Sequence, residues 1–272
     1  MTARRIGLVA WHVFKESVRD RVLYAIGAFA VTLVAASILI GQITAGEDVK
    51  IIKDLGLAVI ELAGMLMAVF IGVGLVAKEI ERRSIFSLLA KPLPRWEFIV
   101  GKYTGLVLTL VVNVAMMSAA LYVMLAYYQV TATPIERAAW EAPALDPRLL
   151  VAVVMIAFEL ALLTAVALFF STFSSSTLLS SLFTTGVLVT GLYSDDLRHF
   201  GDIVDVPRAA AAAVGAVGWV VPAFSAFDVK AQVVHGVPVP PTFVAFTVAY
   251  ALAYIVAVLG GAVGLFARRE FK

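Results

Sequence analysis

The chain has 272 residues, of which 62% are hydrophobic and only 15% charged, and its formal net charge is +2. A soluble domain of this length needs a far more polar surface, so the composition excludes a water-soluble globular protein and makes lipid the main solvent. With no cysteine in the chain, disulfides and thiolate metal sites are excluded as well.

Residues 4–21 place Ile6, Val9, Ala10, Val13, Phe14 and Val18 on one helical face and Arg4, Arg5, His12, Lys15 and Arg19 on the other, with Leu8 the exception. This pattern predicts an amphipathic helix lying in the cytoplasmic interface. His12 and Lys15 interrupt the apolar run and no small-residue cleavage site follows, so the segment is expected to be retained.

Six apolar stretches follow, at 22–43, 57–77, 103–130, 149–173, 177–193 and 242–267. Each approaches or exceeds the ~20 residues that cross a hydrocarbon core of about 30 Å, and 177–193 is the shortest. Backbone amides in lipid must be paired within the chain, and no ~10-residue alternation of a membrane barrel is present. The expected fold is an all-α integral membrane protein with six transmembrane helices.

Residues 44–56 read as a short loop, and Pro134, Pro143 and Pro147 rule out a continuous helix over 131–148. Ser174, Ser175 and Ser176 make a tight uncharged turn, so the fourth and fifth spans are expected to form an antiparallel hairpin. Residues 195–241 open with Asp195, Asp196, Asp202 and Asp205 and then carry an apolar run, 209–221, stopped by Pro222. That run is too short to span, which predicts a re-entrant or interfacial helix before the last span. Most of the 21 Lys and Arg residues fall in 1–21, 78–102 and 268–272. The positive-inside rule puts both termini and the 78–102 loop in the cytoplasm.

The 78–102 loop combines charge with Ile85, Phe86, Leu88, Leu89, Trp96 and Phe98. A loop that only obeyed the charge rule has no use for so many large apolar groups, and the segment before Pro92 has the pattern of a short amphipathic helix with something to pack against. There is no Walker A pattern, since Gly101-Lys102 is followed by Tyr103. Nor is there an H-E-x-x-H pattern, a nucleophile elbow or a histidine cluster, so no catalytic residue, directly bound cofactor or metal site is expected.

Glu79, Glu81, Arg82-Arg83-Ser84, Leu88-Leu89-Ala90-Lys91-Pro92, Pro94-Arg95, Phe98 and Gly101-Lys102 make this loop resemble the first cytoplasmic loop of type-2 ABC exporter permeases. Phe14-Lys15-Glu16 and Arg19-Asp20-Arg21-Val22-Leu23-Tyr24 are similar to the elbow that precedes it. Val221-Pro222-Ala223-Phe224-Ser225-Ala226-Phe227-Asp228, followed by Val234-His235-Gly236, resembles the branch named for maturation of multicopper enzymes, which includes nitrous-oxide reductase maturation permeases.

The resemblance implies one permease domain over 1–272, working as a pair, likewise a homodimer, with a separate ABC ATPase that binds ATP and Mg. It also implies roles for particular residues. Glu79, Glu81, Arg82, Arg83, Phe86, Leu89, Lys91 and Arg95 would couple to the ATPase, with Lys15, Glu16, Arg19, Asp20 and Arg21 of the elbow beside them. Lipid is the other partner, and no nucleic acid is expected.

Two carboxylates lie inside spans: Glu61 about one turn from the outer end, and Glu159 roughly ten residues deep. An ionised carboxylate at mid-membrane costs about 2.5 to 3.5 kcal/mol, so Glu159 is expected to face protein or water. Two roles stay open for it, lining a translocation path or bonding to a neighbouring helix, for example to Asn113. Six of the seven methionines (Met65, Met67, Met116, Met117, Met124, Met155) fall on spans two to four. Thioethers suit Cu(I), but methionine is also the usual gap filler of apolar cores. Gly260 and Gly264 form a G-x-x-x-G for close helix packing.

Two rivals to an exporter remain: an ion-coupled secondary transporter, and an ABC-driven mechanical transmitter for an assembly on the outer face. The first calls for inverted repeats and broken helices, and the sequence displays neither.

Overall fold

A computed structural model of the chain describes residues 2–18, 24, 27–28, 31–32, 48–81, 94–174, 176–205 and 207–268. The expected first span (22–43) lies almost wholly outside them, as do Arg19, Asp20 and Arg21 of the elbow and Arg82, Arg83, Phe86, Leu89 and Lys91 of the loop. Every regular element among the described residues is helical: α1 (Thr2–Val18), α2 (Asp48–Glu81), α3 (Arg95–Thr131), α4 (Pro134–Ala139), α5 (Leu149–Phe173), α6 (Thr177–Leu192), α7 (Ser194–Arg198), α8 (Phe200–Ile203), α9 (Arg208–Val220), a 3-10 turn (Phe224–Phe227), α10 (Lys230–Val234) and α11 (Pro241–Arg268). The protein is an all-α membrane protein.

Among the described residues four helices are long and apolar enough to cross a membrane, over Asp48–Gly74, Trp96–Thr131, Leu149–Thr172 and Pro241–Phe266. The expected fifth span, 177–193, is the 16-residue α6, about 24 Å long at 1.5 Å per residue. α2 and α3 overrun their expected bounds. Residues 48–56, read as loop, are the first turns of α2. At the other end α2 continues to Glu81 and α3 starts at Arg95, so the 78–102 loop is narrower than its sequence implies. The 34 and 37 residues of these helices make rods of about 50 and 55 Å, well beyond the hydrocarbon core.

α5 is the centre of the bundle, packed on α2, α3, α6, α10, α11 and the 3-10 turn. Small residues set these distances. A Cβ at Gly72 of α2 would lie 2.8 Å from the Ala167 Cβ of α5, and one at Gly64 would lie 2.3 Å from Leu160 Cδ1. Residues 64 and 72 therefore meet 160 and 167 in ascending order, and α2 and α5 run parallel. α3 runs against α5, as the Tyr103 hydroxyl donates to the Ala161 carbonyl at 3.2 Å near one end and Tyr122 to Asp146 at 3.3 Å near the other.

α1 packs along α3. Arg5 meets Glu97 at 4.0 Å, and Cβ atoms at Gly101 and Gly105 would come within 2.8 Å of the Cβ atoms of Val9 and Val13. Each contact is four residues further along both helices, so α1 runs beside α3 in the same direction. Its apolar stripe faces α3, with Ala10 and Val13 buried, while Arg4, Leu8, Trp11, His12, Lys15 and Glu16 stay exposed. Gly101-x-x-x-Gly105 is thus the close-packing pattern at work, whereas Cβ atoms at Gly260 and Gly264 would meet nothing within 4 Å.

The expected re-entrant run, 209–221, is α9, and apart from Gly218 it is not buried. The segment that enters the core is the one after it: Phe224, Phe227, Val229, Val233 and Val234 are all buried. Pro222 stops α9, and the following Phe224–Val234 segment is bent from it by 46°. The chain therefore contains a broken helix that the sequence did not disclose. Two tyrosines of α11 satisfy the backbone at the break, Tyr250 accepting from the Ala223 amide at 2.9 Å and Tyr254 donating to the Val220 carbonyl.

Candidate functional site

The broken helix delivers a cation to the bundle interior. Lys230, the first residue of α10, forms an ion pair with Glu61 Oε2 of α2 and bonds Asp228 Oδ1 at 3.2 Å. Glu61 stands thirteen residues from the start of α2 at Asp48, about 20 Å along its axis. Beside the pair is Glu159 of α5, 1% exposed. The Gly64–Leu160 approach explains the arrangement: Glu61 is one turn before Gly64 and Glu159 immediately precedes Leu160, so the closest contact of α2 with α5 brings both carboxyls to one level. The charged groups that act on Glu159 are Glu61, Lys230 and Asp228.

Neither oxygen of Glu159 has a hydrogen-bond partner among the described residues. Asn113, the expected partner, gives its amide to the Thr109 carbonyl at 2.8 Å on its own helix. It lines a different space, a largely apolar crevice of about 510 Å³ shared with Phe14, Tyr24, Met116 and Met117. The reason is angular: residue 113 lies on the side of α3 that faces Phe14 of α1, away from Glu159. Glu61 and Glu159 are therefore brought together, and Asn113 is not.

The inserted segment is also tied at the end of the bundle where α2 begins. His235 Nδ1 lies 2.7 Å from Glu141 Oε2, and Lys50 of α2 is 3.8 Å from the other oxygen. The hydrogen bond with His235, and secondarily the charge of Lys50, hold the Glu141 carboxyl below its usual range. Arg148 donates to the Gly236 carbonyl. Gly236 has φ +71° and sits with its Cβ position 3.0 Å from Ala142, a backbone conformation that disfavours any side chain. Lys53, almost fully buried, donates to the Pro143 carbonyl at 2.8 Å. Together these bonds clasp the 224–236 segment to α2 and to the loop before α5.

At the opposite end the structure places Glu79 and Glu81 in the last turns of α2 and Arg95 at the start of α3. Lys15 and Glu16 are exposed on α1. Met67 and Met155 are fully buried and Met65, Met117 and Met124 nearly so, packed in the core, while Met116 is exposed. Lys230, Asp228 and His235 were not singled out from the sequence as site residues. The available signal was a lysine two residues after an aspartate inside an otherwise apolar stretch.

A family model described as ABC-2 family transporter protein matches residues 8–194, from α1 to the first residue of α7. No curated protein matches the chain. The clasped segment and α11 lie beyond the matched residues.

Proposed function

The chain belongs to the ABC-2 family of transporter proteins, and we propose that it is the transmembrane permease subunit of an ATP-driven exporter, working with a separate ABC ATPase that binds ATP and Mg. The family match over α1 to α6 carries this reading. On it, residues 1–272 form one permease domain with six spans, the first over 22–43 and the others being α2, α3, α5, α6 and α11. Two copies pair as a homodimer in the inner membrane of a prokaryote. The positive charges of 1–21, 78–102 and 268–272 keep the termini and the loop in the cytoplasm. ATP hydrolysis belongs to the partner.

The architecture supplies a route for coupling. The 78–102 loop, with Glu79, Glu81, Arg82, Arg83, Phe86, Leu89, Lys91 and Arg95, is the docking segment for the ATPase on this reading, together with Arg19, Asp20 and Arg21 of the elbow; Lys15 and Glu16 follow the Val13–Gly105 contact and so stand about 18 Å along α3 from Arg95. α2 is unbroken from Asp48 to Glu81, so closure of the ATPase dimer that displaces its Glu81 end also displaces Glu61. Glu61 is ion-paired to Lys230, and the motion passes to the inserted segment. Glu61 and Glu159 then line the moving boundary of the path, at the depth where charged groups mark transport sites.

The same clasp favours a second reading, in which the segment transmits force to an assembly on the outer face in place of moving a solute. Purification from the native membrane tests the common part of both, since a stoichiometric ABC ATPase is expected and its absence would favour an ion-coupled carrier. Stimulation of hydrolysis by a solute would then select export over force transmission.

A further inference from the structure

One ammonium, Lys230, stands among three carboxyl groups, the buried Glu61 and Glu159 and the exposed Asp228. Lys230 is committed to Glu61 and Asp228, while Glu159, 1% exposed, has both oxygens without a hydrogen-bond donor among the described residues. A buried carboxyl without a partner is costly, and an ionised one more so. Yet the approach of Gly64 to Leu160 sets the Glu159 carboxyl at the level of Glu61, and two neighbouring carboxyls are both accommodated when one of them carries a proton. Lys230 stands on a five-residue helix behind a 46° break and reaches its partners through a side chain with four methylenes.

We propose that Glu159 is the second acceptor of Lys230, so that the ammonium exchanges between Glu61 and Glu159 as the 224–234 segment moves, while the carboxyl it leaves takes the proton. In the present arrangement Lys230 pairs with Glu61 and the proton is on Glu159. In the other, Lys230 pairs with Glu159 and the proton passes to Glu61. One proton moves from one carboxyl to the other and the ammonium moves the opposite way, so total charge is conserved. Neither state then leaves an uncompensated ion in the bundle, which is the condition for two conformations of similar free energy. Asp228 travels on the same segment as Lys230 and stays with it in both.

This inference rests on the reading of the inserted segment as the moving part of a permease, but its test does not use transport. Dicyclohexylcarbodiimide, an apolar reagent that modifies protonated carboxyls in lipid, is applied to the full chain in its membrane, and modified residues are located by peptide mass spectrometry. In the unaltered protein Glu159 is modified and Glu61 is spared. In Glu61→Gln, Lys230 has lost its first acceptor and moves to Glu159, whose modification falls by about tenfold or more, because a carboxyl ionised beside an ammonium no longer presents the protonated form that the reagent modifies. Glu61→Asp, one methylene shorter and a milder change, gives a partial fall if Glu61→Gln does not accumulate. Equal modification of Glu159 in the unaltered chain and in either variant overturns the proposal, as does a Glu159 that is not modified at all. Loss of ATPase association would leave this result standing, and unchanged labelling would leave the permease reading standing.

Discussion

Lys230 reaches Glu61 from a segment that lies 169 residues away in sequence, and the pair joins a broken helix to a rod that runs unbroken to the opposite end of the bundle. Removing either member leaves its partner buried without a counter-charge, at about 3 to 5 kcal/mol for a pair without substitutes. The two sides are not equivalent here, however. Lys230→Met strands Glu61 beside two other acids, whereas Glu61→Gln leaves Lys230 with Asp228 and Glu159. Thermal unfolding of the solubilised chain is therefore expected to fall further for Lys230→Met, and equal losses would argue against a shared cluster.

The seam between α1 and α3 rests on Gly101 and Gly105. Gly105→Leu places a side chain where the Ala10 carbonyl would be 2.6 Å from the new Cβ, and overpacking of this kind costs about 1 to 3 kcal/mol. α1 is expected to detach and become sensitive to protease, while Gly260→Ala and Gly264→Ala leave the stability of the solubilised chain unchanged. Protease resistance of α1 in Gly105→Leu would remove the seam.

The bond of Glu141 to His235 sets a pH dependence at the clasp. Because the Glu141 carboxyl is held below its ordinary value of 4.5, the contribution of its ionised form is complete above about 4.5 and is lost as pH falls through the depressed value. Amide exchange of residues 235–239 is expected to accelerate on acidification below that point, and Glu141→Gln to exchange fast at neutral pH already. Identical exchange in both proteins across that range would remove the clasp.

The charge distribution predicts that single cysteines at Ser84 and Thr133 are labelled by an impermeant reagent from opposite sides of the membrane. Labelling of both from one side would break the six-span topology. Thr133 also caps α4, its hydroxyl accepting from the Glu136 amide at 3.3 Å, so the neighbouring Ile135, 84% exposed, is the better position if capping must be kept.

Long apolar runs made the helices legible, because twenty residues of hydrocarbon leave the backbone only one way to bond. Their ends were not legible: α2 begins at Asp48 and α3 at Arg95 because a helix continues past the lipid boundary wherever nothing stops it, and Asp48 and Glu97 favour a helix start. Glu61 and Glu159 stood out as acids in apolar runs, but their relation did not, since it depends on Gly64 letting α2 approach Leu160. Lys230 was hidden for a similar reason. A short polar-flanked stretch after Pro222 reads as loop, and only its burial against α5 reveals that it enters the core. The two G-x-x-x-G patterns were equivalent as sequence; which of them packs is decided by whether a neighbour exists.

A separate ATPase docked at the junction of α2 with α3 is predicted to drive this chain. The direct measurement is co-purification of the chain from its native membrane, unaltered and with Phe86→Asp and Leu89→Asp combined. A stoichiometric ABC ATPase with the unaltered chain, lost in the double variant while membrane insertion persists, is the predicted result. No ATPase with the unaltered chain, or undiminished association of the double variant, would contradict it.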